Sequence, residues 1–176
     1  MNLREETVKR DIRYRGRILN LRVDDIRLPD GAPATREVVE HNGGVCVAAL
    51  TDDRELLFVR QYRYPYEEIL LELPAGKRDG EEDPLACGKR ELKEETGATA
   101  AEYRFLGKVY PSPGYTNEVI RLYLATGLSF GDMALDTDEF LEVERLPLDR
   151  AVEMVLAGQI ADAKTQIAVL KTAALV

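Results

Sequence analysis

The segment Gly76–Ala98 reads Gly-Lys-Arg-Asp-Gly-Glu-Glu-Asp-Pro-Leu-Ala-Cys-Gly-Lys-Arg-Glu-Leu-Lys-Glu-Glu-Thr-Gly-Ala, and the interpretation of the whole chain starts from it. Asp83 and Pro84 predict the start of a helix, because Asp is a favoured N-cap and proline loses no hydrogen bond at the first helical position. Gly97 predicts the end of that helix, since glycine readily adopts the left-handed conformation of a helix stop. The segment therefore predicts one short helix between two loops.

Three carboxylates lie close together on this helix. Glu91, Glu94 and Glu95 fall within about 100° of arc, because each residue turns the helix by roughly 100°. Leu85 and Leu92 are seven residues apart and predict a core-facing side opposite the carboxylates. Like charges four residues apart and anions in the last turn both destabilise a helix. A hard divalent cation such as Mg²⁺ or Mn²⁺ would convert this repulsion into coordination, whereas the alternative is a solvated acidic face.

The fixed positions extend beyond the helix. Gly76 is followed after five residues by Glu82 and, after seven more, by Arg-Glu-Leu-Lys-Glu-Glu-Thr-Gly-Ala over residues 90–98. This spacing resembles the signature of the Nudix hydrolases, with Ala98 small where the family usually has a larger aliphatic residue. The resemblance implies an α/β fold, the Nudix α/β/α sandwich with a mixed sheet. It also implies divalent-metal-dependent hydrolysis of a nucleoside diphosphate linked to another group.

The order of strands and helices predicts the same fold class. Mixed strands with one helix between them and two helices near the end, about 148–157 and 161–174, are typical of an α/β/α sandwich. The first forty residues alternate as an antiparallel meander, which is too small to be stable alone and should pack on the main domain or on a second subunit. We therefore predict an N-terminal antiparallel sheet over residues 1–42, a candidate dimerisation element, and a Nudix domain over residues 43–176.

Composition excludes several functions. The chain has 176 residues and a formal net charge of −8, which argues against a surface for nucleic acid. We find no apolar run of the roughly 20 residues that span a bilayer and no signal-peptide pattern, and we expect a cytoplasmic protein without membrane contact. The two cysteines, Cys46 and Cys87, predict neither a disulfide framework nor a zinc site.

The resemblance also implies roles for the residues of the signature. Glu91 and Glu95 are expected to be the principal ligands of two or more Mg²⁺ (or Mn²⁺) ions, with Glu94 contributing directly or through water and the Ala75 carbonyl as a further ligand. Arg90 can pair with Glu94 four residues on, and we favour this structural role over direct catalysis. The residues expected to support the site are Gly76, Glu82, Arg90 and Gly97.

Features outside the signature resemble the ADP-ribose pyrophosphatase subfamily. They are Pro74-Ala75-Gly76, Ser112-Pro113-Gly114 with Glu118, Asp162-Ala163-Lys164-Thr165 and the N-terminal strand pair. The subfamily implies the products AMP and ribose 5-phosphate, and a homodimer in which the N-terminal sheets exchange between subunits. A nucleotide-sugar such as GDP-mannose, or another dinucleoside-type pyrophosphate, is the alternative substrate. A nucleotide-binding regulator without hydrolysis is a third hypothesis, disfavoured because all three helix carboxylates are present.

The substrate contacts implied by the subfamily are spread along the chain. Arg63 corresponds to a phosphate-binding arginine, although a surface charge at a strand end is the alternative. Arg36 and Glu37 of the N-terminal sheet are candidates for holding the adenine or ribose end in a partner's site. Glu72 and Glu118 are expected at the rim, where solvated surface carboxylates are the alternative. The full set of candidate substrate-binding residues is Arg63, Arg36, Glu37, Glu72, Pro113, Gly114 and Glu118.

The candidate catalytic base lies in the acidic stretch Asp136-Thr137-Asp138-Glu139-Phe140. The subfamily often takes its base from a carboxylate in the loop before the C-terminal helices. Asp136 and Glu139 are the candidate bases, and Asp138 or Glu139 is a candidate ligand of the second metal. A base within the signature helix, whose carboxylates are Glu91, Glu94 and Glu95, and a plain solvated loop both remain open.

Overall fold

A computed structural model describes residues 2–135, 137 and 139–176 of the chain. The chain divides into two compact units, which are described separately. The first contains Met1–Gly43 and Tyr110–Val119, and the second contains Gly44–Val109 and Ile120–Val176. Among the described residues, no helix has both the length and the apolar character needed to cross a membrane.

The first unit is built on a three-stranded antiparallel sheet in the order β1-β2-β3, with strands β1 (Glu6–Arg15), β2 (Leu19–Arg27) and β3 (Pro33–His41). This confirms the predicted N-terminal antiparallel sheet. The segment Tyr110–Val119 lies along β3. The Val39 N–H donates to the Tyr115 carbonyl at 2.7 Å, and the Val39 carbonyl accepts from the Asn117 N–H at 3.1 Å.

The second unit contains two sheets and three helices. One sheet has the order β7-β4-β9-β8, in which β4 and β9 are parallel and the other pairs are antiparallel. The other sheet is antiparallel and has the order β10-β5-β6. The elements are β4 (Gly44–Ala49), β5 (Glu55–Arg63), β6 (Glu68–Glu72), β7 (Ala75–Lys77), α1 (Pro84–Thr96), β8 (Ala98–Val109), β9 (Ile120–Phe130), β10 (Leu141–Pro147), α2 (Leu148–Leu156) and α3 (Ala163–Ala173).

Strand β4 divides the core of this unit into two sides, because successive side chains of a strand point to opposite faces. Val47 packs in one cluster with Leu92 of α1. Ala48 packs in another with Ala151 of α2 and Ala168 of α3. Helix α1 therefore covers one face and helices α2 and α3 cover the other. This confirms the α/β/α sandwich with a mixed sheet.

The ends of α1 are confirmed as predicted. The Asp83 carboxylate accepts hydrogen bonds from the N–H groups of Leu85 and Ala86, both at 3.0 Å, and Pro84 is the first helical residue. Gly97 ends the helix with φ of 69°. Gly88 allows the helix to approach the sheet closely, since a Cβ at this position would lie 3.3 Å from Val47 Cγ2.

Candidate active site

Two carboxylates of α1 are buried. Glu91 is 7% exposed and Glu95 is 2% exposed, and they lie within the buried arc of the helix together with Leu92. The prediction that Leu85 and Leu92 face the core is confirmed, since Leu92 is fully buried and Leu85 packs against a buried cluster. The prediction that the carboxylates lie on the opposite side was wrong. Leu85 is half-buried, and the core-facing side of α1 includes the carboxylates instead of avoiding them.

The backbone of strand β7 lies against both buried carboxylates and binds one of them. A Cβ at Gly76 would lie 1.9 Å from the Glu91 Cδ, so the absence of a side chain makes room for this carboxylate. The Ala75 N–H donates to Glu95 Oε2 at 3.0 Å. The turn from β6 into β7 therefore places two consecutive backbone positions against two carboxylates one helical turn apart.

Arg90 contacts three acidic side chains of the signature segment, Glu82, Glu91 and Glu94. Its Nη1 lies 2.8 Å from Glu91 Oε1 and 2.8 Å from Glu94 Oε2. Its Nε and Nη2 donate to the two oxygens of Glu82, each at 3.1 Å. The hydrogen bond from Arg90 is the main reason why the pKa of Glu82 is lowered to about 2. Arg90 therefore fixes the direction of Glu82, Glu91 and Glu94 together.

Burial makes the two inner carboxylates costly to ionise. It raises the pKa of Glu91 to about 7, although the charge of Arg90 opposes the rise. It raises the pKa of Glu95 to about 8, where the Ala75 N–H opposes the rise and the charges of Glu91 and Glu139 add to it. To be ionised at neutral pH, the carboxylates of Glu91 and Glu95 need more positive charge nearby than Arg90 supplies.

The chemistry of these donors fits a hard divalent cation. Carboxylate oxygens are the ligands that Mg²⁺ and Mn²⁺ prefer, and an adjacent cation would favour the ionised forms of Glu91 and Glu95. Arg90 and the Ala75 N–H occupy carboxylate oxygens in this structure. Within residues 2–135, 137 and 139–176, no three acidic, histidine or cysteine side chains converge in the arrangement of a ready-made metal site.

Of the acidic loop, Glu139 is the candidate that can be placed. It is half-buried, and its negative charge contributes to the raised pKa values of both Glu91 and Glu95. Glu139 is therefore close enough to the buried carboxylates to affect their ionisation. Asp136 and Asp138 lie outside the residues that the structure describes.

Glu72, which is buried, and Arg63, which is half-buried, form an ion pair. Arg63 donates from Nε to Glu72 Oε1 at 2.6 Å and from Nη2 to Glu72 Oε2 at 2.8 Å. Glu72 is 1% exposed, so a solvated carboxylate at an open rim is the wrong description of it. The charge of Arg63 also acts on Glu95, where it lowers the pKa against the effect of burial.

Lys164 completes this cluster, and the sequence reasoning missed its role. Its Nζ lies 2.5 Å from Glu72 Oε2 and 3.0 Å from Asp162 Oδ1. A signal was available, because a lysine in the first turn of a helix is disfavoured by the helix dipole and needs a compensating anion. Glu72, 92 residues away in the sequence, supplies this anion.

The remaining candidates lie in the first unit. Arg36 is paired with Glu5, with a distance of 3.0 Å from Nε to Oε2. Glu118 lies 3.4 Å from His41 Nδ1 and is half-buried. The structure thus gathers the signature residues, Glu139 and the Arg63 pair in the second unit, and keeps the other candidates in the first. Glu37, Pro113 and Gly114 are exposed there.

Comparison with known families agrees with this architecture. A model described as NUDIX domain matches residues 40–167, which is most of the chain. A model described as Nucleoside diphosphate sugar hydrolase N-terminal domain matches residues 5–39. The chain therefore belongs to the NUDIX domain family and is a Nudix hydrolase.

Individual relatives extend over nearly the whole chain. A methanol dehydrogenase activator of Bacillus methanolicus is 42% identical, over 94% of this chain and 90% of its own length. An ADP-ribose pyrophosphatase of Bacillus subtilis (strain 168) is 38% identical, over 96% of this chain and 92% of its own length. A crystal structure of an ADP compounds hydrolase superposes with a TM-score of 0.86 and 23% identity, and covers 99% of this chain and 95% of that one. This last similarity concerns the fold.

Proposed function

We propose that this Nudix hydrolase cleaves the pyrophosphate bond of ADP-ribose, in a reaction that depends on a divalent cation. Water adds to one phosphorus atom, the bridging P–O bond breaks, and the products are AMP and ribose 5-phosphate. The observation that carries the proposal is the pair of buried carboxylates on α1, Glu91 and Glu95, whose raised pKa values indicate a need for added positive charge. The 38% identity to a Bacillus subtilis ADP-ribose pyrophosphatase supports the choice of substrate.

Mg²⁺ or Mn²⁺ would neutralise the phosphate oxygens and lower the pKa of bound water. We assign the principal ligands to Glu91 and Glu95, with Glu94 and the Ala75 carbonyl contributing, and two or more ions per site. Burial and the contacts with β7 hold Glu91 and Glu95 in fixed positions, so that little reorganisation is needed when the charge arrives. Arg90 holds the direction of Glu94.

Arg63 is our candidate for binding the substrate phosphates. Its guanidinium is anchored on Glu72, and its charge acts on Glu95 of the signature helix. For the base that activates water, we favour Glu139 among the described residues because its charge reaches both Glu91 and Glu95. Asp136 stays a candidate base, and Asp138 stays a candidate ligand.

We further propose a homodimer formed through the N-terminal sheet. Three apolar side chains of its first strand, Val8, Ile12 and Tyr14, are 60%, 38% and 58% exposed, as expected of a surface that a second subunit covers. In such a dimer, Arg36 and Glu37 would reach a partner's site, while Pro113, Gly114 and Glu118 would border the substrate. Light scattering during gel filtration at several protein concentrations tests this: a dimer mass supports the proposal, and a monomer mass at all concentrations contradicts it.

The direct test of the metal assignment is Glu95→Gln. Gln keeps an oxygen that can accept the Ala75 N–H but removes the charge that a cation requires. We expect AMP release from ADP-ribose in Mg²⁺ to fall at least about 100-fold, because even the partners of metal ligands cost 10–100-fold when changed. Glu81→Gln, the same change at an exposed position before α1, is the matched control. Full activity of Glu95→Gln in a folded protein would refute the assignment.

A second candidate function comes from the relative that is named a methanol dehydrogenase activator, which is 42% identical to this chain. The chain would then increase the rate of a partner oxidoreductase. The test measures methanol oxidation by the Bacillus methanolicus methanol dehydrogenase with and without this chain, and then with Glu95→Gln. If the native chain activates the dehydrogenase and Glu95→Gln does not, the activation depends on hydrolysis. If both proteins activate it, the activation does not depend on hydrolysis.

A further inference from the structure

A cluster of four charged side chains joins the β5–β6 hairpin to the start of α3. Arg63 and Glu72 come from the hairpin, and Lys164 and Asp162 from α3 and its N-cap. The side chains of Glu72, Lys164 and Asp162 are 2%, 13% and 18% exposed. Carboxylates and ammonium groups are rarely buried unless they are paired, and each of these groups has a partner in the cluster.

The backbone fixes the start of α3 beside Glu72. The Thr165 hydroxyl accepts a hydrogen bond from the N–H of Leu73, the residue after Glu72, at 2.9 Å. The Asp162 carboxylate accepts from the Thr165 N–H, also at 2.9 Å, and so caps the helix. Lys164 therefore projects from an anchored helical turn, and its ammonium group has a defined position relative to the Glu72 carboxylate.

The Arg63 end of the cluster is partly exposed to solvent. Glu72 pairs with Val59 in the hairpin and Arg63 pairs with Glu68, so the Arg63 and Glu72 side chains project from the same face. Arg63 uses Nε and Nη2 to bind Glu72, and within the described part of the chain its Nη1 makes no hydrogen bond. The Arg63 side chain is 35% exposed. One edge of the guanidinium is thus fixed, and the other is available to an anion.

Lys164 acts on the orientation of the Glu72 carboxylate and not through the net charge of the cluster. Two cations and two carboxylates sum to zero, so the cluster as a whole does not attract an anion by its net charge. Lys164 instead holds the Glu72 carboxylate in one orientation by binding Oε2, the oxygen that also accepts from Arg63 Nη2. Because a bidentate pair has a narrow range of geometries, fixing the carboxylate also fixes the guanidinium.

We propose that Lys164 is a positioning residue, which holds Glu72 so that Glu72 presents the free edge of Arg63 to the phosphates of the substrate. This inference rests on the proposed function, in which Arg63 binds the substrate phosphates. It adds a residue of α3, 92 positions from Glu72, to the determinants of substrate affinity.

The test is Lys164→Met, which keeps most of the length of the side chain and removes its charge. We expect KM for ADP-ribose to rise about tenfold while kcat stays within about twofold, the pattern of lost binding that is common to ground state and transition state. Lys171→Met, at the exposed end of the same helix, is the matched control and should keep the native KM. An unchanged KM for Lys164→Met would overturn the inference.

A double variant separates positioning from general damage to the fold. In an Arg63→Ala background, Lys164→Met should change kcat/KM by less than about twofold, because the residue through which Lys164 acts is gone. The full tenfold loss in that background would overturn the inference. If Lys164→Met does not fold, the variant Glu72→Gln with Lys164→Met removes both buried charges and still releases Arg63. It should show the same rise in KM, and a native KM would contradict the inference.

A binding measurement distinguishes this inference from the proposed function. Inorganic pyrophosphate is titrated into the native protein and into Lys164→Met by calorimetry, without added metal. About tenfold weaker binding to the variant supports the positioning role even if the native protein hydrolyses no nucleoside diphosphate derivative, a result that would defeat only the proposed function. Equal affinities, or no binding to the native protein, would overturn the positioning role.

Discussion

At the scale of single residues, the site depends on how closely β7 approaches α1. Gly76 has no side chain, and the space where a Cβ would stand contains the Glu91 carboxylate. The neighbouring Ala75 N–H binds Glu95. The conformation of two backbone positions thus sets the positions of two carboxylates, and a methyl group there would act on function more than on the fold.

We therefore expect Gly76→Ala to reduce the rate of ADP-ribose hydrolysis by about 100-fold, the size of effect that a displacement of about 1 Å can have. Overpacking should lower the free energy of unfolding by about 1–3 kcal/mol. Steady-state kinetics and urea unfolding measure the two effects. The control is Gly131→Ala, whose Cβ would meet no atom closer than 3.8 Å. Native activity of Gly76→Ala would contradict the assigned role of the glycine.

At the scale of secondary-structure elements, α1 is specified mainly by its ends. Asp83 caps two N–H groups, and Gly97 adopts the left-handed conformation that stops the helix. The interior of α1 is less favourable, because it contains a glycine and carboxylates in its last turn. The caps therefore add to the packing of Leu92 against Val47 in keeping this helix in place.

Removing the N-cap in Asp83→Ala should lower the free energy of unfolding by about 1 kcal/mol. Asp83→Asn, which keeps an oxygen at the same place, should lower it by no more than a few tenths of a kcal/mol, since Asn and Asp cap about equally well. Urea unfolding monitored by circular dichroism measures both values. Equal losses in the two variants would show that the side-chain oxygen does not cap the helix.

The elements also show what the sequence could predict. Local signals were sufficient for the caps of α1 and for the N-terminal strands, because these depend on residues close together in the sequence. The α/β/α class was predicted from the order of strands and helices and from the resemblance to the Nudix hydrolases. The burial of Glu91 and Glu95 could not be derived in this way, since helical periodicity gives the angle between side chains and not what they face. The contact from Lys164 to Glu72 spans 92 residues and depends on tertiary packing.

At the scale of the whole molecule, the buried cluster around Glu72 links stability to pH. Burial alone would raise the pKa of Glu72, but hydrogen bonds from Arg63 and the charge of Lys164 outweigh it and lower the pKa to about 2. The folded carboxyl therefore binds protons less readily than the unfolded one, whose pKa has the ordinary value of 4.5. Its contribution to stability is present above pH 4.5 and is lost as pH falls toward 2.

This contribution is on the order of 3 kcal/mol, because one unit of pKa corresponds to about 1.4 kcal/mol. We expect the free energy of unfolding of the native protein to fall more steeply between pH 5 and pH 3 than that of Glu72→Gln. Glu72→Gln should be the less stable protein at pH 7, since it leaves the largely buried Lys164 and the half-buried Arg63 without their shared anion. Glu68→Gln, an exposed position on the same strand, is the control. Parallel curves for the native protein and Glu72→Gln would contradict the role of the cluster.

In our proposal, different regions of the chain carry out bond cleavage and the choice of substrate. In our proposal, the signature segment, which lies within the match to the NUDIX domain model, breaks the phosphoanhydride. We propose that the choice of substrate depends on residues outside the segment, among them Arg63, which is paired with the buried Glu72. Residues 5–39 match a model described as Nucleoside diphosphate sugar hydrolase N-terminal domain, and for this reason we choose a nucleotide-sugar as the competing substrate in the test below.

The measurement that tests the central proposal most directly is a comparison of kcat/KM for ADP-ribose and GDP-mannose, with product analysis, in the presence and absence of Mg²⁺. The proposal predicts AMP and ribose 5-phosphate from ADP-ribose only when Mg²⁺ or Mn²⁺ is present. It predicts a kcat/KM for ADP-ribose at least about tenfold above that for GDP-mannose. Turnover of ADP-ribose no faster than that of GDP-mannose, or equal turnover after complete chelation of divalent cations, would contradict it.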